Sequence, residues 1–259
     1  LLDKVPRRLG LSATPKRMRD SEGNAVLTEY FGDVSYYYSM SDAIDHGFLC
    51  PYNYYMHYSS LTSEELEKYH ELTNEIKKYV RFDESGQIKP SSKLDYLSRE
   101  RSRIIKGSEN RLDVLKLILN EYDPDLNPNI SFTYSKCIIY CNTIQESRKI
   151  FRIMKDMGLS VMEYHTNIRS RENALLSFDE TDFTRYIISI GCLDQGVDIP
   201  SCDGAIILSS TTNERQYIQR RGRVLRTNRG KKKIAFIHDV LVLPFSYDAV
   251  SYTHLTLPT

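Results

Sequence analysis

Two arginines toward the end of the chain have the type and spacing to act on phosphate groups. Arg223 and Arg226 are three residues apart, so a helical turn would place both guanidinium groups on one face. A guanidinium stays charged at neutral pH and binds two phosphate oxygens at once, which a lysine does less well. Gln219 and Gly222 precede them in the pattern Gln-x-x-Gly-Arg-x-x-Arg. The segment therefore favours phosphate chemistry.

The surroundings of these arginines are strongly basic. Nine lysines and arginines, and no acidic residue, lie between positions 215 and 233, whereas the whole chain of 259 residues has a net charge of +1. Such clusters bind the phosphates of nucleotides or nucleic acids. A solvated basic surface is the alternative for the run as a whole, and for Arg220 and Arg221 the two interpretations have equal weight.

Three other segments place small and polar residues where a loop follows an apolar run. Taken one at a time, each has a simple structural interpretation: a hydroxyl-stabilised turn before a proline, a helix cap, and a turn that ends at a proline. The candidate site residues are Ser12 and Thr14 in the first segment, Asn142 and Thr143 in the second, and Gly196 and Asp198 in the third.

Alternating strands and helices are expected to position these residues. Apolar runs predict strands and 3.6-residue spacing predicts helices, in an order typical of βαβ units and a parallel sheet. Ligands of such sheets bind beyond the carboxyl ends of the strands, so polar residues there carry the most weight. The strands are predicted at 136–141, 159–164, 185–190, 205–208 and 233–238, and the helices at 144–157, 169–178 and 213–219.

The first half of the chain has a different pattern. Helical spacing predicts three helices, at 62–80, 91–106 and 109–121, which would form a helical insertion. The insertion is either a cover or a nucleic-acid-facing element, and the cover is slightly favoured. Residues 7–13 predict a short strand, residues 16–45 predict loops and short strands, and the tyrosines at 36–38 predict core packing rather than base stacking.

In their order and spacing, the polar segments resemble the later motifs of superfamily 2 helicases of the DEAD/DEAH type. Residues 11–15, Leu-Ser-Ala-Thr-Pro, resemble motif III, and residues 136–143, 191–200 and 219–226 resemble motifs IV, V and VI. Residues 43–51 are similar to the connector between the two motor lobes in one branch, which includes XPB-like helicases and the motors of type I and type III restriction enzymes. The resemblance covers residues 7–240.

The resemblance implies an α/β fold, a RecA-like parallel sheet with flanking helices, and a role for each candidate residue. Arg223 and Arg226 would be catalytic arginine fingers assisted by Gln219, and Asp198 and Gly222 would contact the nucleotide. Nucleic-acid contacts or coupling between lobes would come from Ser12, Thr14, Asn142, Thr143 and Gly196. The cofactors would be ATP and Mg²⁺.

The sequence contains neither a G-x-x-x-x-G-K-[ST] phosphate loop nor an acidic box that would hold Mg²⁺. In the helicases both precede motif III, so we expect the Mg²⁺ ligands in a preceding part of the protein and no ATP hydrolysis by this chain alone. The resemblance also implies domains: residues 1–50 as a remnant of the first lobe with the connector, residues 51–245 as the second lobe with a helical insertion at about 61–122, and residues 246–259 as a tail. The tail resembles a translated sequencing adapter, without function.

The resulting prediction is the C-terminal part of an ATP-dependent helicase or translocase that acts on nucleic acid, with DNA preferred. An RNA helicase lobe and a non-catalytic nucleic-acid-binding scaffold are the alternatives, although a scaffold would not need both arginines. Expected partners are nucleic acid, the first RecA-like lobe, and restriction or repair subunits; no membrane partner is expected, and the expected location is the cytoplasm. Five cysteines at irregular spacing argue against a disulfide framework and a zinc site and for a reducing cytoplasm. Cys137 and Cys141 frame an apolar strand and are predicted to be buried thiols.

Overall fold

A parallel β-sheet of six strands organises the chain. The computed structural model describes residues 7–12, 14–16, 20–84, 86, 88–130, 133–168, 175–178, 183–190, 202–208, 214–227 and 233–244, with the backbone alone at 214–217. Within these ranges the strand order is β1-β6-β5-β2-β4-β3, and every neighbouring pair is parallel. The strands are β1 (Tyr52–Ser60), β2 (Cys137–Tyr140), β3 (Val161–Tyr164), β4 (Tyr186–Ser189), β5 (Gly204–Ile207) and β6 (Ala235–Leu243).

The predicted strands at the centre of the sheet are confirmed, and the last one is longer than predicted. The four residues of β2, of β4 and of β5 are all buried, as expected for strands that are covered on both faces. Strand β6 runs to Leu243 because β1 pairs with it at each position, from Tyr52 opposite Ala235 to Ser60 opposite Leu243. The sequence prediction had ended this strand at His238.

Helices cover both faces of the sheet, and consecutive strand residues point to opposite faces. On one face, Ile139 packs in a cluster with Leu115 of α5 (Asn110–Tyr122) and Ile150 of α6 (Ile144–Asp156). On the other face, Ile138 packs in a cluster with Val224, the last residue of α7 (Glu214–Val224). The fold is therefore the predicted α/β class, a parallel sheet with flanking helices.

The predicted helical insertion is confirmed as three helices between β1 and β2, namely α3 (Ser63–Tyr79), α4 (Ser92–Gly107) and α5. Thr62 begins α3 with a capping box, in which its hydroxyl accepts from the Glu65 amide and the Glu65 carboxylate accepts from the Thr62 amide. Helices α3 and α4 pack on each other, and α5 adds its apolar face to the core of the sheet. The cover interpretation agrees with these contacts.

The segment before the sheet contains helices, where loops and strands were predicted. Residues Ser21–Phe31 form α1, which Asp20 caps by accepting from the Gly23 amide, and Met40–Asp45 form α2, capped by Ser39. Residues 7–12 contain no strand, because no described strand lies beside them to complete the backbone hydrogen bonds.

The tyrosines at 36–38 also differ from the prediction. They lie outside any strand with 77%, 74% and 40% of their surface exposed. Tyr52, Tyr54 and Tyr55, by contrast, lie in β1, which pairs with β6, and Tyr54 is buried. The prediction of core packing was therefore wrong for residues 36–38, because two helices and a loop replace the expected strands.

Cys137 and Cys141 are buried free thiols, as predicted, and so are Cys50 and Cys202. Burial raises the pKa of each thiol, to about 12 for Cys202, so these side chains behave as small apolar groups. Cys192 lies outside the described residues, as do residues 246–259 of the predicted tail. In the described part of the chain, every helix is too short or too polar to cross a bilayer.

Candidate nucleotide and nucleic-acid site

Helix α7 carries the predicted phosphate-binding motif, but it ends before the second arginine. Gln219, Gly222 and Arg223 lie on the helix, which stops at Val224. Arg226 lies beyond the helix and forms an isolated antiparallel bridge with Leu49 of the predicted connector. The predicted shared helical face of Arg223 and Arg226 is therefore wrong.

A contact with the connector explains why the helix ends there. The Cys50 amide donates to the carbonyl oxygen of Leu225 at 2.8 Å. This carbonyl therefore accepts a hydrogen bond from the connector instead of one from a further turn of the helix. Arg226 is exposed, and Arg223 and Gln219 are half-buried. The exposed guanidinium of Arg226 is thus attached to a backbone that two segments distant in sequence hold together.

Gly222 and Arg220 occupy different surroundings on the same helix. A Cβ built at Gly222 would meet no described atom within 4 Å, so this side of α7 is open to an approaching surface. Arg220 is only 5% exposed, and its guanidinium lies 5.0 Å from the ring centroid of Tyr140, at the end of β2. Arg220 is therefore a packed residue with a cation–π contact rather than a surface charge.

The loop after β2 holds Asn142 and Thr143, and both have structural partners. The Thr143 hydroxyl accepts from the Glu146 amide at 3.1 Å, which makes Thr143 the N-cap of α6. The side-chain amide of Asn142 donates to the carbonyl oxygen of Lys106 at 2.9 Å, and this bond joins the loop to the end of α4. The helix-cap interpretation of Thr143 is confirmed, and nucleic-acid contact by either residue stays a prediction.

A buried ion pair beneath this loop was missed by the sequence reasoning. Arg111 of α5 is 2% exposed, and one of its terminal nitrogens lies 2.9 Å from a carboxylate oxygen of Glu146. Arg111 also donates to the carbonyl oxygens of Ser108 and of Leu208, the residue after β5. Burial lowers the pKa of the Arg111 guanidinium, and the carboxylate of Glu146 opposes this effect.

The Arg111 ion pair fixes three segments against each other. The second oxygen of Glu146 accepts from the Asn142 amide at 2.9 Å, so the insertion, the β2 loop and the end of β5 share one network. A signal for it was present in the sequence. Arg111 lies four residues before Leu115, on the face of α5 that enters the core, where a charged side chain requires a partner.

The remaining candidate residues are only partly described. The Ser12 hydroxyl accepts from the Thr14 amide at 3.1 Å, which is the turn that the structural interpretation predicted. Gly196 and Asp198 lie outside the described residues, so their predicted contacts with nucleic acid and nucleotide stay predictions. Within the described ranges, no cluster of His, Cys, Asp or Glu side chains has the arrangement of a metal site.

The candidate residues lie at the two opposite ends of the parallel strands. Asn142 and Thr143 follow β2 at the carboxyl ends of the strands, as expected. Arg226 pairs with Leu49, three residues before β1 begins, and therefore lies at the amino ends. The reason is that α7 runs back across the sheet between the parallel strands β5 and β6. Arg226 is thus separate from the polar loop after β2, with which the sequence analysis had grouped it.

Comparison with known proteins supports the fold and shows which proteins the chain resembles. Residues 126–228 match the family of the helicase conserved C-terminal domain. This region is similar to the C-terminal lobe of superfamily 2 helicases. The lobe shares the RecA-like fold of the C-terminal part of the Fun30 ATPase domain, with a TM-score of 0.51 and 13% identity over 75% of this chain and 86% of that one.

Curated relatives extend the similarity beyond the matched domain. The chain is 27% identical over 236 residues to the DNA 3'-5' translocase XPB2 of Sulfurisphaera tokodaii, which covers 85% of this chain and 50% of the relative. It is 22% identical over 242 residues to the putative helicase 22 of a Sulfolobus islandicus filamentous virus, covering 90% of this chain and 37% of the relative. The chain therefore spans half or less of the length of these relatives.

Proposed function

We propose that this chain is the second motor lobe of an ATP-dependent helicase or translocase that acts on DNA. The observation that carries the proposal is the similarity to a DNA translocase along 85% of the chain. The RNA helicases that match do so over a smaller part, 62% of the chain at 24% identity for the rRNA helicase SPB4 of Saccharomyces cerevisiae. This difference in coverage favours DNA.

The role of Arg223 and Arg226 follows from the chemistry of phosphoryl transfer. Negative charge on the γ-phosphate of ATP has to be stabilised in the transition state, and a fixed guanidinium does so without losing its proton. Arg226 is exposed, and its backbone is bonded to the connector, so its side chain extends from a defined position. The first lobe would supply the phosphate loop and the ligands of Mg²⁺, which neutralises charge on the β- and γ-phosphates.

The carboxyl ends of the strands, where the loop after β2 lies, are proposed to contact the DNA backbone. Such contacts need hydrogen-bond donors and positive charge rather than groups that read base edges. Asn142 and Thr143 supply an amide and a hydroxyl there. Gly196 is assigned a backbone contact with a phosphate, and Asp198 is assigned to the nucleotide or to an arginine finger. Ser12 and Thr14 would relate the movements of the two lobes. Restriction or repair subunits would be further partners.

The proposal is tested by Arg226→Ala in the protein that contains both lobes. We expect DNA-stimulated ATP hydrolysis to fall on the order of 10³-fold while ATP binding remains, because the guanidinium acts mainly on the transition state. Arg103→Ala is the matched control, since Arg103 is an exposed arginine of α4 that pairs with Glu100. Turnover of the Arg226 variant at the control rate would refute the arginine-finger role. The chain alone is expected to hydrolyse no ATP.

A further inference from the structure

Two histidines lie side by side in the core of the sheet, outside the candidate site. His57 of β1 is 4% exposed, and His238 of β6 is 0% exposed. Nε2 of His57 lies 3.0 Å from Nδ1 of His238, and the ring centroids are 5.2 Å apart with 28° between the planes. Histidine is the side chain whose charge changes near neutral pH, so a buried, hydrogen-bonded pair is a candidate for a pH-dependent contact.

The register of the two strands creates the pair. His57 lies opposite Val240, and His238 lies opposite Tyr55, so the two histidines are diagonal neighbours on one face of the sheet. Among the described strands, β1 is an edge of the sheet and pairs with β6 alone. The histidine pair therefore joins the edge strand, which follows the connector and leads into the helical insertion, to the interior of the sheet.

Aromatic rings surround His238. Tyr55 stacks on the His238 ring with 4.9 Å between centroids and 12° between planes. Tyr122 of α5 meets the same ring edge-on at 4.4 Å, and Tyr134 does so at 6.1 Å. Burial is the largest cause that raises the pKa of the three tyrosine hydroxyls, so these hydroxyls stay neutral in acid. Surroundings made of rings solvate a charge poorly compared with water.

The charged groups of the elements packed around the pair are already paired or solvated. Asp123, directly after α5, pairs with Arg185 at 3.0 Å, and Glu121 of α5 is exposed. Asp239 of β6 accepts from the Tyr54 hydroxyl at 2.5 Å, and it lies on the opposite face from its neighbour in sequence, His238. The other charged residues that are not fully exposed on α5 and α4 are bonded as well: Arg111 to Glu146, Arg101 to Thr73, and Glu100 to Arg103.

The hydrogen bond between the two rings limits how many protons the pair can hold. Such a bond requires that one ring nitrogen carries the proton and that the other offers a lone pair. The neutral pair meets this requirement, and so does a pair with one added proton. A second added proton would place two N–H groups against each other and two positive charges in the core. The folded protein therefore takes up at most one extra proton here, whereas both histidines of an unfolded chain become charged below a pH of about 6.5.

This difference in proton number makes the pair stabilising at neutral pH and destabilising in acid. The contribution is fully present above a pH of about 6.5 and is lost below it, because the unfolded chain then holds at least one proton more. Each proton of difference lowers the ratio of folded to unfolded molecules about tenfold per pH unit. Displacement of β1 is the least costly way to separate the rings, since β1 is the edge strand and β6 is held between β1 and β5.

We infer that the His57–His238 pair is a pH-sensitive contact, which holds β1 on the sheet at neutral pH and releases it in acid. The strand that is released carries the connector at its beginning and the helical insertion at its end. Acid therefore loosens the attachment of both to the sheet. The inference does not depend on the proposed motor function, because it rests on the two strands and the rings around them.

The direct test is a pH titration of the imidazole Hε1 protons by NMR, on the 259-residue chain between about pH 8 and about pH 5. His70, an exposed histidine of α3, is the internal reference and should titrate in one complete step near a pH of about 6.5. We expect that His57 and His238 do not both reach the shift of a charged imidazole while the chain is folded. Two complete, independent titrations in the folded chain would overturn the inference.

Hydrogen–deuterium exchange shows which strand is released. Between about pH 6 and about pH 5, exchange of the β1 amides, corrected for the intrinsic effect of pH, should accelerate about tenfold, and exchange of the β2 amides should not. His57→Gln keeps a group that can bond to His238 and should abolish the acceleration, whereas the matched control His70→Gln should retain it. Equal acceleration in the two variants, or in β1 and β2, would overturn the inference. The NMR titration needs no variant and decides the question if His57→Gln does not fold.

Discussion

Arg111→Met is expected to destabilise the lobe strongly, because it removes one half of a buried ion pair. Arg111 is 2% exposed, and the Glu146 side chain that it pairs with is 11% exposed. The substitution leaves the Glu146 carboxylate without its cation and the carbonyl oxygens of Ser108 and Leu208 without a donor. Breaking a buried pair in this way costs about 3–5 kcal/mol, a large part of the roughly 5–15 kcal/mol by which a domain is stable.

The measurement is the midpoint of urea unfolding, followed by circular dichroism, for the variant and two references. Arg103→Met removes an exposed arginine from a surface pair and should change the free energy of unfolding by less than about 1 kcal/mol. The double variant Arg111→Met/Glu146→Met removes both charges and should regain part of the loss. If Arg111→Met unfolds at the same urea concentration as Arg103→Met, the ion pair does not hold the three segments together.

Two further predictions concern the core and the basic segment. Gly204→Ala would place a Cβ 2.7 Å from Cγ of the buried Tyr134, so we expect the free energy of unfolding in urea to fall by about 1–3 kcal/mol. Gly107→Ala is the control, because its Cβ would meet no described atom within 4 Å and the free energy of unfolding should change little. Equal unfolding midpoints of the two variants would show that the Tyr134 ring moves aside without cost. Binding of the chain to single-stranded DNA should weaken steeply with salt, with a slope of log K against log salt of about −0.7 per phosphate contact. DNA binding that does not depend on the salt concentration would show that residues 215–233 are a solvated surface and do not contact phosphates.

The regular elements were predictable because their signals are local. Thr62 and Thr143 are N-cap residues followed by a glutamate at the third helical position, and the structure begins α3 and α6 at these caps. The continuous apolar residues of β2 indicate a strand that is buried on both faces. Local sequence determines such features before any long-range contact forms.

The errors arose where a distant segment decides the conformation. Arg226 continues the helical spacing of α7 in the sequence. The connector residues Leu49 and Cys50, however, form backbone hydrogen bonds with the residues where the helix would have continued. The tyrosines at 36–38 have the composition of a strand and no neighbouring strand to pair with. The partner of Arg111 lies 35 positions away, on a helix that folds over the same edge of the sheet. None of these pairings can be read from neighbouring residues.

Helix α7 crosses the sheet and so connects the amino ends of the strands with their carboxyl ends. The helix has 11 residues and is about 16 Å long, and β5 before it has four residues and is about 13 Å long. The Arg220 guanidinium stacks on the ring of Tyr140, which precedes the polar loop after β2, and the Leu225 carbonyl accepts a hydrogen bond from the connector. Both attachments thus lie in the C-terminal half of α7 or directly after it, so one short stretch of helix joins the connector to the residue that ends β2.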